Sequence, residues 1–187
     1  MEINAQNITD LFCFVADSVM EKEQYLCELD SVVGDGDHGI TMTRGFSAAK
    51  AALLTCDGDI SVKFEVMGKA LMGEMGGAIG PIFGTLFQAF AKETVGKETL
   101  TTADFSKMFE NGLKMIKIIA DVKEGQKTLL DALSPATQSL NESKELNDEL
   151  VEALKKAAVC AEQGAVETTN MVAKKGRARF LKEKSIG

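Results

Sequence analysis

The sequence lacks long apolar runs, an excess of basic residues and paired cysteines. No run of about 18 or more uninterrupted apolar residues occurs, so we expect no membrane-spanning helix. The start, MEINAQNITD, has no basic stretch followed by an apolar one, so we expect no secretory signal. The formal net charge is −7, which argues against a nucleic-acid partner because phosphate binding needs a basic surface. A single nucleotide remains compatible with this charge, since a metal ion offsets negative charge locally.

Cysteine offers no metal-binding pattern. The four residues, Cys13, Cys27, Cys56 and Cys160, form no C-x-x-C pair, and three of them lie inside apolar helical patterns. We therefore expect no zinc site, and we expect reduced, partly buried thiols in a cytoplasmic protein.

Alternating strand patterns are also lacking, and proline occurs only at Pro81 and Pro135. The spacing of apolar residues is helical almost throughout. A chain of 187 residues suffices for one domain with a core. We predict a single all-α domain over residues 1–187, a bundle of about seven helices.

Local signals predict where the helices begin and end. Asn7, Asp59 and Thr102 are N-cap candidates. Pro135 is expected to bend or stop the sixth helix, and Gly176 to end the seventh. Three predicted helices have both ends assigned: Asn7 to about Leu29, about Thr41 to Leu54, and Asn147 to about Lys175. For the other four only the start is predicted: after Asp59, at Pro81, at Thr102 and near Thr128.

The stretch DSVVGDGDHGIT, which begins at Asp30, combines three aspartates with three glycines. Carboxylates suit Mg²⁺ or Ca²⁺, and Gly34 and Gly36 let the chain bend so that Asp35 and Asp37 aim at one point. The spacing is not that of an EF-hand, and Mg²⁺ usually completes its shell with water and substrate phosphates. Alternatively, the aspartates only cap helices and solvate a turn. Three aspartates interleaved with glycine favour a metal site completed by a nucleotide.

His38, the single histidine, stands where the next helix is expected to start. The N–H groups of Gly39, Ile40 and Thr41 would lack intrahelical acceptors there and would offer an anion site. His38 either lies beside a phosphate or makes structural hydrogen bonds, and the residues alone leave both open.

Two further segments suit phosphate binding. The loop GEMGGAIG at residues 73–80 precedes Pro81, which fits a first helical turn; its glycines either admit an anion or allow close helix packing. It is not a Walker A loop. The segment KKGRARFLKEK at residues 174–184 is basic, and Arg177 and Arg179 either bind phosphate or complement a helix dipole.

Four segments in order resemble the L subunits of dihydroxyacetone kinase, which bind its nucleotide. They are DSVVGDGDHGITMTRGF at 30–46, MGGAIGPIFGT at 75–85, VKEGQKTLLDALSPA at 122–136 and MVAKKGRARFLKEKSIG at 171–187. The resemblance covers nearly the whole chain. It implies an all-α, antiparallel helical barrel of about seven to eight helices, with an adenine nucleotide bound at one end.

The resemblance also implies roles for individual residues. Asp30, Asp35 and Asp37 would hold two Mg²⁺ ions that bridge the phosphates of ADP or ATP. The implied nucleotide contacts are His38, Gly39, Ile40, Thr41, Ala78, Ile79, Leu129 and Arg177. The phosphate role of His38 is thereby favoured.

The function implied by the resemblance is a kinase subunit linked to the phosphotransferase system. ADP would stay bound as a coenzyme, a phosphohistidine-bearing M subunit would recharge it, and the γ-phosphoryl group would pass to dihydroxyacetone on a K subunit. No catalytic residue beyond the metal–nucleotide site is then needed on this chain. Two other functions stay open: an ATP-using kinase subunit for a small ketose, and a non-catalytic, nucleotide-dependent partner of a transcription regulator.

The sequence departs from the family pattern at three places. Ile79 replaces the usual serine, and Glu124 stands where proline is common. The family continues beyond the position of Gly187 with a His-x-Asp-Pro-Gly segment and a final helix. We therefore expect a shortened C-terminal segment and a more open site, and an uncovered apolar face that favours a partner or a homodimer.

Overall fold

The computed structural model describes residues 2–187, and helices dominate that range. Its strands are β1 (Ile3–Asn4) and β2 (Thr99–Leu100). Its helices are α1 (Ile8–Met20), α2 (Glu23–Ser31), α3 (His38–Leu54), α4 (Ile60–Glu74), α5 (Ile79–Glu93), α6 (Thr102–Ala120), α7 (Leu130–Glu145) and α8 (Leu150–Glu167), followed by 3₁₀ segments at Thr168–Asn170 and Arg177–Ser185. The predicted all-α class is confirmed. Across residues 2–187, every helix is too short or too polar to cross a membrane.

The chain divides into two compact units, an N-terminal unit of residues 2–100 and a C-terminal unit of residues 101–187. In the N-terminal unit, α3 packs against α1, α2 and α4, and α4 packs against α5. The strands β1 and β2 pair antiparallel, with Ile3 opposite Leu100. The first and last segments of this unit are thereby held together.

A cluster of phenylalanines forms much of the core of the N-terminal unit. Its rings come from α1, α3, α4 and α5, and contacting centroids lie 5.5 to 6.2 Å apart. The members are Phe12, Phe46, Phe64, Phe83, Phe87 and Phe90. Each aromatic pair contributes about 0.5–1.5 kcal/mol beyond its buried area. The cluster therefore holds α3 and α5 in place, and both helices begin at predicted nucleotide-binding residues.

The C-terminal unit is built from α6, α7 and α8. Buried alanine and leucine side chains of α7 and α8 form its core, with two phenylalanines of α6 packed against them. The core residues are Ala136, Leu140, Ala153 and Ala157, and the two phenylalanines are Phe105 and Phe109. Small side chains let α7 and α8 approach closely: a Cβ atom at Gly164 would lie 2.2 Å from the carbonyl oxygen of Asp131.

One predicted helix is in fact two. A single helix was expected from Asn7 to about Leu29, but α1 ends at Met20 and α2 begins at Glu23. The cause is tertiary packing. The carbonyl oxygen of Glu23 sits only 1.9 Å from the place of a Cβ atom at Gly39, so α2 turns to lie against the first turn of α3.

The N-cap predictions had mixed outcomes. Asp59 caps α4 as predicted, since its carboxylate accepts from the Val62 N–H at 2.9 Å. Asn7 makes no side-chain cap; its Oδ1 accepts from Asn4 N instead. The cap of α6 is Thr101, which forms a capping box with Asp104.

Thr102, the predicted cap of α6, is the first residue of that helix. Its hydroxyl donates to the Asp148 carbonyl at 2.8 Å, so a tertiary hydrogen bond has taken the place of a cap.

Of the expectation that Pro135 bends or stops the sixth helix, the stop was wrong, because α7 runs through Pro135 to Glu145 and close packing on Gly164 supports that turn. The seventh predicted helix ends at Glu167 instead of about Lys175. Beyond Glu167, Ala173 N donates to Ser185 Oγ at 2.8 Å, so a hydrogen bond to a distant residue replaces a helical one.

Candidate functional site

The three aspartates predicted to bind metal lie together in the N-terminal unit. Asp30 is in the last turn of α2, Asp37 is the N-cap of α3, and Asp35 lies on the turn between them. One carboxylate oxygen from each lies within 4.8 Å of the others. Asp30 is half-buried, while Asp35 and Asp37 are exposed. Oxygen ligands of Mg²⁺ sit about 2.1 Å from the ion, so opposite ligands are separated by about 4.2 Å. The cluster has dimensions that suit a divalent cation.

Glycines hold the Asp30 carboxylate in this position. Its Oδ2 accepts a hydrogen bond from the N–H of Gly36 at 2.8 Å, and Gly36 has a φ of 73°, which favours glycine. A Cβ atom at Gly34 would lie only 2.1 Å from Asp30 Oδ1. Any side chain at position 34 would therefore displace the carboxylate.

Asp37 does not act as a helix cap, although it occupies the cap position of α3. Its side chain makes no cap hydrogen bond; only its carbonyl oxygen accepts, from Thr41 N at 2.9 Å. Helix capping therefore does not account for the Asp37 side chain, whose carboxylate is exposed and belongs to the cluster.

The first turn of α3 places four predicted nucleotide residues directly after the aspartates. His38 is half-buried, Ile40 is exposed, and Gly39 and Thr41 are buried. The first N–H groups of a helix have no intrahelical acceptor, and the positive end of its dipole favours anions. The acidic cluster and the anion-favouring start of α3 are thus adjacent in one continuous segment.

A second glycine-rich segment, the glycine loop of residues 75–78, joins α4 to α5. Gly76 and Gly77 are exposed, and Gly77 has a φ of 64°. Met75 is buried and anchors the loop: its side chain fills the space of a Cβ atom at Gly45 of α3. The predicted contacts Ala78 and Ile79 are the N-cap and the first residue of α5.

Arg44 links the glycine loop to α3, and the sequence reasoning did not identify this residue. Its Nε donates to the carbonyl oxygen of Glu74 at 2.6 Å, and Nη2 lies 3.5 Å from the place of a Cβ atom at Gly76. No local signal in the sequence pairs two residues thirty positions apart.

Leu129 and Arg177, the remaining predicted residues, belong to the C-terminal unit. Leu129 lies directly before α7 and lines an apolar cavity of about 300 Å³ together with Phe109 and Leu133. Arg177 is exposed and begins a 3₁₀ segment. The basic residues 174–184 do not form the end of α8, which stops at Glu167, so the helix-dipole interpretation of this segment was wrong.

The sequence reasoning also missed the residue that shapes the loop before Leu129. Asp131 is buried, and its two carboxylate oxygens accept from Gly125 N at 2.6 Å and from Thr128 N at 2.8 Å. An aspartate three positions after a threonine at a helix start could have revealed it. The loop at 121–127 is irregular, as predicted.

Glu124 stabilises the same loop. It pairs with Lys117 Nζ at 2.6 Å and accepts from Ser134 Oγ at 2.7 Å. Hydrogen bonds from Lys117 and Ser134 lower the pKa of Glu124 from 4.5 to about 2. The replacement of the usual proline thus brings an ion pair to the loop.

Comparisons with known proteins agree on one family. A family model described as the DAK2 domain matches residues 32–187. The chain is 36% identical over 188 residues to the PEP-dependent dihydroxyacetone kinase, ADP-binding subunit DhaL, of Escherichia coli (strain K12), covering 100% of this chain and 90% of that protein. It is 35% identical over 172 residues to the PTS-dependent dihydroxyacetone kinase, ADP-binding subunit DhaL, of Lactococcus lactis subsp. lactis (strain IL1403). This match covers 91% of this chain and 81% of that protein.

The fold matches a solved structure, the dihydroxyacetone kinase from C. freundii in complex with AMP-PNP and Mg²⁺. The TM-score is 0.72 at 22% identity, and the match covers 100% of this chain but only 32% of the larger one. At this identity the likeness establishes the fold alone.

Proposed function

We propose, because the chain belongs to the DAK2 domain family, that it is the ADP-binding subunit of a dihydroxyacetone kinase that draws its phosphoryl group from phosphoenolpyruvate. The chain would carry ADP or ATP with Mg²⁺ and would pass the γ-phosphoryl group to dihydroxyacetone held by a separate K subunit. An M subunit bearing a phosphohistidine would regenerate ATP from the bound ADP.

One observation carries this proposal: the whole chain matches 90% of a separate protein named as an ADP-binding subunit. That name describes one subunit of a kinase, and on this similarity we infer that the chain depends on partners for its substrate and its phosphoryl donor. We further propose that the chain forms a homodimer, because exposed apolar residues favour burial in an interface.

We assign the metal site to Asp30, Asp35 and Asp37, and we propose that it holds two Mg²⁺ ions. The close approach of the three carboxylates and the cradle left by Gly34 support this assignment. Carboxylate oxygens are the ligands that Mg²⁺ prefers, and three of them leave positions for water and phosphate oxygens. When bound, the ions would neutralise charge on the phosphates during transfer.

The nucleotide contacts are assigned to the residues that the sequence predicted. The N–H groups at His38, Gly39 and Ile40 would bind phosphate oxygens, as would the backbone at Ala78 and Ile79. The N–H of Thr41 already donates to the carbonyl oxygen of Asp37 at 2.9 Å, contrary to the expectation from the sequence, so Thr41 would contribute through its hydroxyl instead. Leu129 offers an apolar surface for the base, and Arg177 a cation for a phosphate. Ile79 supplies no hydroxyl, so only its backbone can contribute to phosphate binding.

Titration calorimetry of ADP, with and without Mg²⁺, tests the site. We expect binding to require Mg²⁺ and the Asp35→Ala variant to bind at least about tenfold more weakly, about 1.4 kcal/mol. Asp57→Ala, an aspartate outside the cluster, is the matched control and should bind as the wild type does. Equal affinity of the Asp35→Ala and wild-type proteins would contradict the assignment.

Reconstitution with K and M subunits tests the role. We expect dihydroxyacetone phosphorylation to proceed with phosphoenolpyruvate and the phosphorelay proteins, and to be much slower with free ATP. Turnover with ATP alone would instead support the ATP-using ketose kinase. Nucleotide binding without turnover would support the non-catalytic role.

A further inference from the structure

We propose that Arg44 is a positioning residue that holds the glycine loop at the distance and orientation required for nucleotide binding. The inference rests on the proposed function, since it concerns the same nucleotide site. Arg44 itself is not assigned a contact with the nucleotide.

The contact of Arg44 lies at the end of a helix. Glu74 is the last residue of α4, so its carbonyl oxygen has no intrahelical donor. Arg44 Nε donates to this oxygen at 2.6 Å and so supplies the hydrogen bond that the helix itself does not. The hydrogen bond therefore joins the end of α4, where the glycine loop begins, to the middle of α3.

The glycine loop needs such a restraint because it has few side chains of its own. Gly76 and Gly77 lose more conformational freedom on ordering than other residues do, and both are exposed. Within the described structure, no atom outside residues 76–78 lies within 4 Å of the place of a Cβ atom at Gly77. Only the ends of the loop can hold it.

Two contacts with α3 supply that hold, and they come from neighbouring residues. Met75 packs where Gly45 lacks a side chain, and Arg44 binds the carbonyl of Glu74. The same helix begins at His38, next to the acidic cluster. Arg44 and Gly45 thus set the glycine loop against the helix that carries the metal-binding end of the site.

Three variants separate a hydrogen-bonding role from a role of charge. Arg44→Met keeps the apolar stem and removes the donor. Arg44→Gln removes the charge but keeps an N–H donor, because its Nε2 is the same number of bonds from Cα as the Nε of arginine. Lys69→Ala removes another exposed cation of this unit, which pairs with Glu65, and serves as the control.

Two measurements are made on each variant: the affinity for Mg²⁺·ADP by calorimetry, and hydrogen exchange of residues 74–80 without nucleotide. We expect Arg44→Met to bind about five- to tenfold more weakly and to exchange faster in this segment, the range expected for the loss of one hydrogen bond of ordinary strength. Arg44→Gln and Lys69→Ala should each stay within about twofold of the wild type, both in affinity for Mg²⁺·ADP and in the exchange rate of residues 74–80.

Wild-type behaviour of Arg44→Met would overturn the proposal. So would an Arg44→Gln variant as impaired in binding as Arg44→Met, since charge would then be the property that matters. If the wild-type protein fails to bind Mg²⁺·ADP, the proposed function fails. The exchange rates measured without nucleotide still decide whether Arg44 restrains the glycine loop.

Discussion

Replacing Gly34 with alanine should disable the proposed metal site while leaving the fold intact. A Cβ atom at this position would lie 2.1, 2.5 and 2.6 Å from the three carboxylate atoms of Asp30. Contacts below 3.0 Å are essentially never seen for a Cβ atom, so the carboxylate must rotate away. The φ of Gly34 is not in the left-handed region, so the backbone can accept alanine without strain. The collision is therefore confined to the carboxylate of Asp30.

The magnitude follows from what Asp30 loses. Its hydrogen bond from Gly36 N, at 2.8 Å, involves a charged acceptor and is worth about 1.5–3 kcal/mol, at the low end here because the site is partly exposed. We expect the free energy of unfolding to fall by about 1–2 kcal/mol. Affinity for Mg²⁺·ADP should fall at least about tenfold, about 1.4 kcal/mol, since one of the three carboxylates is displaced.

The assay pairs urea unfolding in EDTA with calorimetric titration of Mg²⁺·ADP. Gly73→Ala is the matched control: Gly73 lies in α4, and no atom of the described structure lies within 4 Å of the place of its Cβ atom. It should bind as the wild type does and be up to about 1 kcal/mol more stable, because alanine favours helix. A folded Gly34→Ala protein that binds Mg²⁺·ADP with wild-type affinity would refute the reasoning.

Three further predictions concern the C-terminal unit. Because Lys117 and Ser134 lower the pKa of Glu124 from 4.5 to about 2, its stabilisation is complete above pH 4.5 and is lost as the pH falls towards 2. The side chain of Glu124 is 45% exposed, so after discounting for solvent screening we expect it to contribute about 1 kcal/mol to the free energy of unfolding. Urea unfolding at several acid pH values should show that the free energy of unfolding falls less steeply with decreasing pH in Glu124→Gln than in the wild type. Thr101→Ala should destabilise by about 1 kcal/mol in thermal or urea unfolding, since it removes the capping box of α6, and an unchanged midpoint would contradict that role. Asp131→Ala leaves two N–H groups of the loop without their acceptor, so hydrogen exchange across residues 122–128 should accelerate, whereas unchanged exchange would show that the loop is held by other contacts.

Predictions from local signals were confirmed where the interaction partners are close in sequence. Asp59 caps α4 through the N–H of Val62, three residues later. The three aspartates of the acidic cluster do lie together, because they fall within eight positions and the intervening glycines allow the turn; that they bind a metal ion stays a prediction. The same reasoning misplaced the cap of α6 by one residue, since Thr101 and Thr102 are both good caps.

Predictions that depended on packing were less accurate. Apolar spacing does not reveal that α2 must turn at Glu23 to lie against Gly39, because that contact depends on the position of α3. Nor does it reveal that α8 ends at Glu167, since the following residues bond to distant partners: Lys174 N donates to Gln126 O at 3.1 Å.

The amino-acid sequence by itself determined the helical class and the set of carboxylates available to a cation, because helix periodicity and ligand spacing are properties of neighbouring residues. Only the tertiary structure decided that Arg44 holds the end of α4 and that Met75 fills the space beside Gly45. Those contacts join residues about thirty positions apart, and they form because packed helices bring side chains and backbone carbonyls together through shape rather than sequence spacing.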